Sequence, residues 1–238
     1  MAFLKKYGGL SLLLCAAAVV SAVLISKVGS AVAAFGREQS EPPTVIIDAG
    51  HGGEDGGAVS VGGVRESGLN LEISLRLNDF LPLLGLRTKM VRTEDISVHS
   101  PHAGTIAEKK ASDIRNRVEL VRQTPNALLL SIHQNRFPES KYRGAQVFYA
   151  DNAESRALAE SLQADLRAQL DPDNHRQCKK AQDIYLLSHV DCAAVLVECG
   201  FLSNAEEELL LRDSTYQKKL TAAIGCCVLN YLEEIDEI

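Results

Sequence analysis

The chain has 238 residues, 46% of them hydrophobic, which suffices for one substantial core and leaves room for only a short appendage beyond one catalytic domain. Its net charge of −6 argues against nucleic acid or another polyanion as a partner. Six cysteines with no C-x-x-C pattern exclude a cysteine-rich zinc motif and a dense disulfide scaffold.

In chain order, the appendage comes first. Lys5 and Lys6 precede an uncharged apolar run over residues 10–25, and small residues continue to Ala34. Residues 1–34 therefore read as an export signal, either cleaved near Ala33 or Ala34 or kept as a membrane anchor. As an anchor it would leave everything after Lys27 outside the cytoplasm. Leu14, too bulky before Cys15, disfavours a lipidation site. Without its three lysines the charge falls to −9, from 22 basic and 31 acidic residues. Residues 35–43, polar and ending in Pro42 and Pro43, have linker composition, and residues 44–238 form the domain.

Within the domain, short apolar and β-branched runs at 45–47, 86–91, 128–132, 145–149 and 194–197 predict buried strands. Helical periodicity predicts helices over 69–84, 114–123, 154–170 and 214–233, and Asn204 before Glu206, Glu207 and Glu208 predicts a capped short helix. This alternation predicts an α/β fold, a sheet with helices on both faces. Five cysteines follow the leader, Cys178, Cys192, Cys199, Cys226 and Cys227. They are expected to be mostly buried thiols, with a Cys178–Cys192 bridge as an alternative in an oxidising compartment.

Four residues stand where chemistry is placed in such folds. His51 lies among five glycines after the first strand, where glycine permits sharp turns and close approach. No Gly-Lys-Ser/Thr follows, so the loop is no phosphate cradle. Glu66 opens a helical pattern, a position that also suits a mere dipole partner. His133 follows the strand at 128–132, at the sheet edge where ligands bind. Glu198 ends an apolar strand and precedes Gly200, a costly place for a charge without a partner. Two histidines and one carboxylate are a recurring catalytic zinc set with a fourth position left open. His99, His102, His175 and His189 fall in polar stretches and read as surface residues, with His99 and His102 in a segment that borders the cleft.

Over about residues 44–232 these motifs resemble the zinc-dependent N-acetylmuramoyl-L-alanine amidases of amidase type 3, which cleave peptidoglycan. The resemblance rests on Asp48-Ala49-Gly50-His51-Gly52-Gly53, Glu66 before Leu69-Asn70-Leu71, Ser131-Ile132-His133-Gln134-Asn135, and Val197-Glu198-Cys199-Gly200-Phe201. It implies a mostly parallel twisted sheet, one Zn2+ on His51, Glu66 and His133, and Glu198 as catalytic acid/base. Asn135 and Gln134 would position substrate. Ala49 and Gln134 replace the proline and alanine of many members, and no long helical insertion follows Glu66 to block the metal.

A compact domain behind a leader, without wall-binding repeats, is most similar to the germination-specific amidases of spore formers. Such enzymes strip stem peptides from muramic acid so that a separate deacetylase can form the muramic lactam of spore cortex. The partner implied is the glycan strand with its stem peptides, and an accessory protein is not readable from the sequence. A zinc peptidase cutting within the stem and a non-catalytic peptidoglycan-binding protein are the competing readings.

Overall fold

Val45, Ile46 and Ile47 are fully buried in β1 (Thr44–Ala49), because this strand is covered on both faces. The structure, a computed structural model, describes residues 43–236, so the leader at 1–34 and nearly all of the linker lie outside the described residues. β1 lies within a six-stranded sheet in the order β2 (Arg87–Met90), β1, β3 (Ala127–Asn135), β6 (Ala193–Phe201), β4 (Gln146–Tyr149), β5 (Lys179–Lys180). All neighbours run parallel except β4 against β6.

On one face α1 (Glu66–Phe80), α3 (Ala153–Leu170) and α6 (Ser214–Asp236) pack Ile73, Leu158 and Ile224 against Ile47, Leu130 and Val197. On the other, α2 (Ile106–Arg122) and α4 (Tyr185–Ser188) cover Ile46, Leu129 and Ala194 with Val118, Val121 and Leu187. Each such aliphatic side chain, fully buried, contributes about 1.5–3 kcal/mol. β1, β3 and β6 therefore form a rigid base, and the expected mostly parallel α/β fold with helices on both faces is observed.

Several elements depart from their expected bounds. α2 starts at Ile106 rather than 114, because Thr105 and Glu108 form a reciprocal capping box that nucleates a first turn with no apolar periodicity. β3 and β6 run to Asn135 and Phe201, past the apolar stretches, so His133 and Glu198 sit inside the strands and face each other in register. β5 and α4 are too short to leave a periodic signal. Asn204 caps α5 (Ala205–Arg212), its side chain accepting from the Glu206 and Glu207 N–H groups. The five cysteines are free thiols. Cys199 and Cys227 are buried, Cys178 and Cys192 half-buried, and Cys226 exposed, so burial is less complete than expected and the Cys178–Cys192 bridge is absent. Among the described residues no helix is long and apolar enough to cross a membrane.

Candidate metal centre

The C-terminal ends of β1, β3 and β6 lie side by side, where an open parallel sheet forms its crevice. His51 follows β1 in the left-handed region at φ 60°, and Gly52 and Gly53 extend the turn at φ 137° and 60°. A non-glycine residue there costs about 1–3 kcal/mol, which the surroundings must offset. Two buried arginines do so. Arg117 donates to the carbonyls of Ala49 (2.9 Å) and His51 (2.8 Å) and pairs with Asp48 and Asp113. Arg92 donates to Ala49 (2.8 Å), Gly50 (3.0 Å) and Ser67 (2.8 Å), tying the loop after β1 to the start of α1.

This framework brings one donor atom each from His51, Glu66 and His133 within 4.8 Å of one another. His51 Nε2 lies 3.3 Å from Glu66 Oε2, and His133 Nδ1 lies 3.0 Å from Glu66 Oε1. Glu66, only 3% exposed at the first turn of α1, also accepts from the N–H groups of Ala58 (2.8 Å) and Gln134 (3.1 Å) and from Asn70 Nδ2 (3.2 Å). Burial opposes its ionisation, but the hydrogen bonds and charges of His133 and His51 prevail and hold the carboxyl well below the usual range. For His51 burial disfavours the imidazolium, whereas Glu66 and then Asp55 outweigh it and raise the pKa to about 9. The field that favours a proton there equally favours a cation.

His51 Nδ1 faces Asp55 Oδ2 at 3.0 Å, leaving Nε2 for the centre of the cluster, the arrangement that orients metal-bound imidazoles. Lys110 Nζ holds the other Asp55 oxygen at 3.0 Å. The crowding is tight enough to demand glycine. A Cβ on Gly50 would overlap the Cε1–Nε2 edge of His133, and one on Gly57 would lie 2.6 Å from Glu66 Oε2. Two nitrogens and a carboxylate, kept close by such packing in a negative field, fit a divalent cation.

Glu198, across the strand pair from His133, is half-buried, with Oε2 shielded from solvent and without a hydrogen-bond partner. Burial pushes its pKa up to about 7, with His133 and His51 lowering it and Glu66 raising it. A cavity of about 190 Å³ opens beside His51 and His133 between α2 and α4.

The sequence reading placed Gln134 on substrate, but it is 3% exposed and its Nε2 donates to Asn70 Oδ1 (3.2 Å). It thus backs Glu66 from the core side. Asn135 is half-buried at the end of β3. The other four histidines stand apart from the donor cluster. His99 Nε2 reaches only Glu54, at 3.8 Å, and His189 stacks on Tyr185 at 3.7 Å. The sequence reading missed Asp55, Asn70, Arg92 and Arg117. Only Asp55, four residues after His51 in the glycine-rich turn, left a local signal.

Residues 45–230 match the N-acetylmuramoyl-L-alanine amidase family. The germination-specific N-acetylmuramoyl-L-alanine amidase of Bacillus subtilis (strain 168) is 37% identical over 191 residues, covering 80% of this chain and 80% of that protein. The CwlD amidase of Clostridioides difficile, solved in complex with the GerS lipoprotein, gives a TM-score of 0.78 at 38% identity, over 81% of this chain and 99% of that one. An N-acetylmuramoyl-L-alanine amidase from Clostridium difficile 630 gives 0.72 at 28% identity, over 82% and 98%. A donor cluster of this composition serves many hydrolases, and the family match selects among them. The chain belongs to the N-acetylmuramoyl-L-alanine amidase family and is an enzyme of cell-wall peptidoglycan.

Proposed function

We propose that this amidase matures spore cortex, removing stem peptides from muramic acid with one Zn2+ held by His51, Glu66 and His133. The observation that carries the reading is an unpartnered, shielded Glu198 oxygen beside three clustered metal donors. Bound zinc supplies Lewis acidity toward water and toward the lactyl carbonyl. The chain's own residues do the rest. Glu198, with a pKa raised to about 7, takes a proton from the attacking water and returns it to the departing nitrogen of L-alanine. Asp55 keeps the Nδ1 proton of His51 in place, and Asn135 orients the substrate by hydrogen bonding. Residues 1–34 export the domain and 35–43 link it. An accessory lipoprotein partner is part of the proposal, supported by the Clostridioides difficile relative solved in such a complex.

The test pairs metal analysis with digestion of purified cortex and vegetative peptidoglycan. Chelation is expected to abolish activity and zinc to restore it. Restoration by another divalent ion but not by zinc overturns the metal assignment. Mass analysis is expected to find released peptides that begin with L-alanine, preferentially from cortex. Cuts within the stem overturn the bond assignment, and equal rates on both walls overturn the cortex assignment. Asp55→Ala is expected to weaken zinc affinity about 10- to 100-fold in a competition titration. Wild-type affinity in that variant removes Asp55 from the centre.

A further inference from the structure

The loop joining β3 to β4 leaves the sheet just past His133 and Asn135, and it presents two rings to solvent. Phe137 is 44% exposed and Tyr142 37%. They pack over the fully buried Phe201, tilted 46° to each other, with centroids 5.2 Å apart and 5.7 and 6.4 Å from the Phe201 ring. The loop is pinned rather than draped. The Phe137 N–H donates to Ser203 Oγ (3.2 Å), and Asn204 Nδ2 donates to the carbonyls of Ser140 (3.0 Å) and Tyr142 (3.4 Å). Arg176 lies 4.5 Å from the Phe201 ring and donates to the Arg143 carbonyl (2.7 Å) and to Gln146 Oε1 (3.1 Å).

Gln146 is the register partner of Glu198, so this aromatic step adjoins the strand that carries the acid/base. Phe137 is four residues beyond His133, at most about 13 Å away along an extended chain, which is about the reach of a disaccharide. Of the three cations in residues 136–143, Arg143 is paired with Asp171 (3.5 Å) and Glu206 (3.9 Å), which leaves Arg136 and Lys141 against Glu139, in a chain whose net charge is −6. That local excess suits a polymer whose stem peptides carry carboxylates.

We infer that Phe137 and Tyr142 form a sugar-stacking subsite that holds an N-acetylhexosamine ring of the glycan strand next to the muramic acid being cleaved. The inference rests on the amidase reading. A pyranose offers a face of axial C–H groups to an aromatic plane and hydroxyls at its edge. The Tyr142 hydroxyl stands ready for those hydroxyls, and the Lys141 ammonium lies over the Tyr142 ring, 5.4 Å from its centroid, leaving Phe137 the more open face. If the rings served only to roof Phe201, leucines would serve equally.

That contrast sets the test, made on the metal-loaded full-length chain. Phe137→Leu with Tyr142→Leu keeps an apolar roof and removes both ring faces. KM on glycan-strand substrate is expected to rise about tenfold, with kcat at saturation within about twofold and the unfolding temperature little changed. The chain has no tryptophan, so Phe137→Trp introduces a single indole. This variant is expected to shift its fluorescence on titration with a peptide-free N-acetylglucosamine oligomer, a readout that needs no turnover. A leucine pair with native KM, or an indole silent to the oligomer, overturns the subsite while the amidase stands. Failure of the native enzyme to release peptide overturns the amidase reading instead, and the fluorescence titration then still reports on the sugar site.

Discussion

Glu198→Gln is expected to lower kcat by about 10²- to 10⁴-fold while zinc content and unfolding temperature stay near native. The amide has the shape of the carboxylate but can neither take a proton from water nor deliver one to a leaving nitrogen. Glu198 Oε2 has no hydrogen-bond partner, so the exchange breaks no structural bond. The three donors lie outside the substitution and should still bind metal. His51→Ala and His133→Ala, by contrast, should lose metal and turnover together, since two remaining donors hold zinc poorly. Peptide release measured beside metal content separates the two outcomes. Native turnover in Glu198→Gln at native zinc content would falsify the acid/base assignment.

Arg117→Met is expected to cost about 3–5 kcal/mol of folding stability, the usual consequence of removing one partner from a buried ion pair. Arg117 is 3% exposed and Asp48 1%, and without the guanidinium Asp48 keeps only the Ser131 hydroxyl at 2.6 Å. The pH dependence should also weaken. In the native chain burial raises the Asp48 pKa, but Arg117, Ser131 and His133 outweigh it and hold the carboxyl below its ordinary 3.8. Its contribution to stability is therefore complete above pH 3.8 and is lost as pH falls through the lower folded value. In the variant only Ser131 and His133 oppose burial, so the folded value moves upward and the stability gained by ionising Asp48 shrinks. Denaturant titrations between pH 3 and 7 read both effects. A loss under about 1 kcal/mol, or an unchanged slope with pH, would show that Arg117 is not what steadies the turn.

Loss of Arg117 also releases the carbonyl of His51, while that of Ala49 keeps Arg92, so the same variant is expected to bind zinc more weakly. The effect travels through the backbone of the His51 turn, which is held at a positive φ by contacts made far along the chain. Asp55→Ala acts on the same imidazole from the other side and leaves that backbone intact. The two variants therefore separate ring orientation from loop support.

Local pattern sufficed for much of this protein. The apolar runs of β1, β3 and β6 and the periodicity of α3 and α6 identify buried strands and covering helices, because burial on a sheet face or a helix face imposes its own spacing. His51 after a strand and Glu66 at a helix start were legible for the same reason, whereas His133 and Glu198, expected at strand ends, lie inside β3 and β6, and the motifs around all four carried the family. What only the tertiary structure decided is how those residues are held. Arg117 lies within the helix predicted over 114–123 with nothing in its local spacing to mark it, and Gln134 reads in sequence as a group that positions substrate. Packing buries Arg117 against Asp48 and turns Gln134 onto Asn70, because partners 69 and 64 residues distant in sequence meet only when the sheet closes. A buried charge or amide must then take whatever partner the fold presents, and no local spacing announces which one that is.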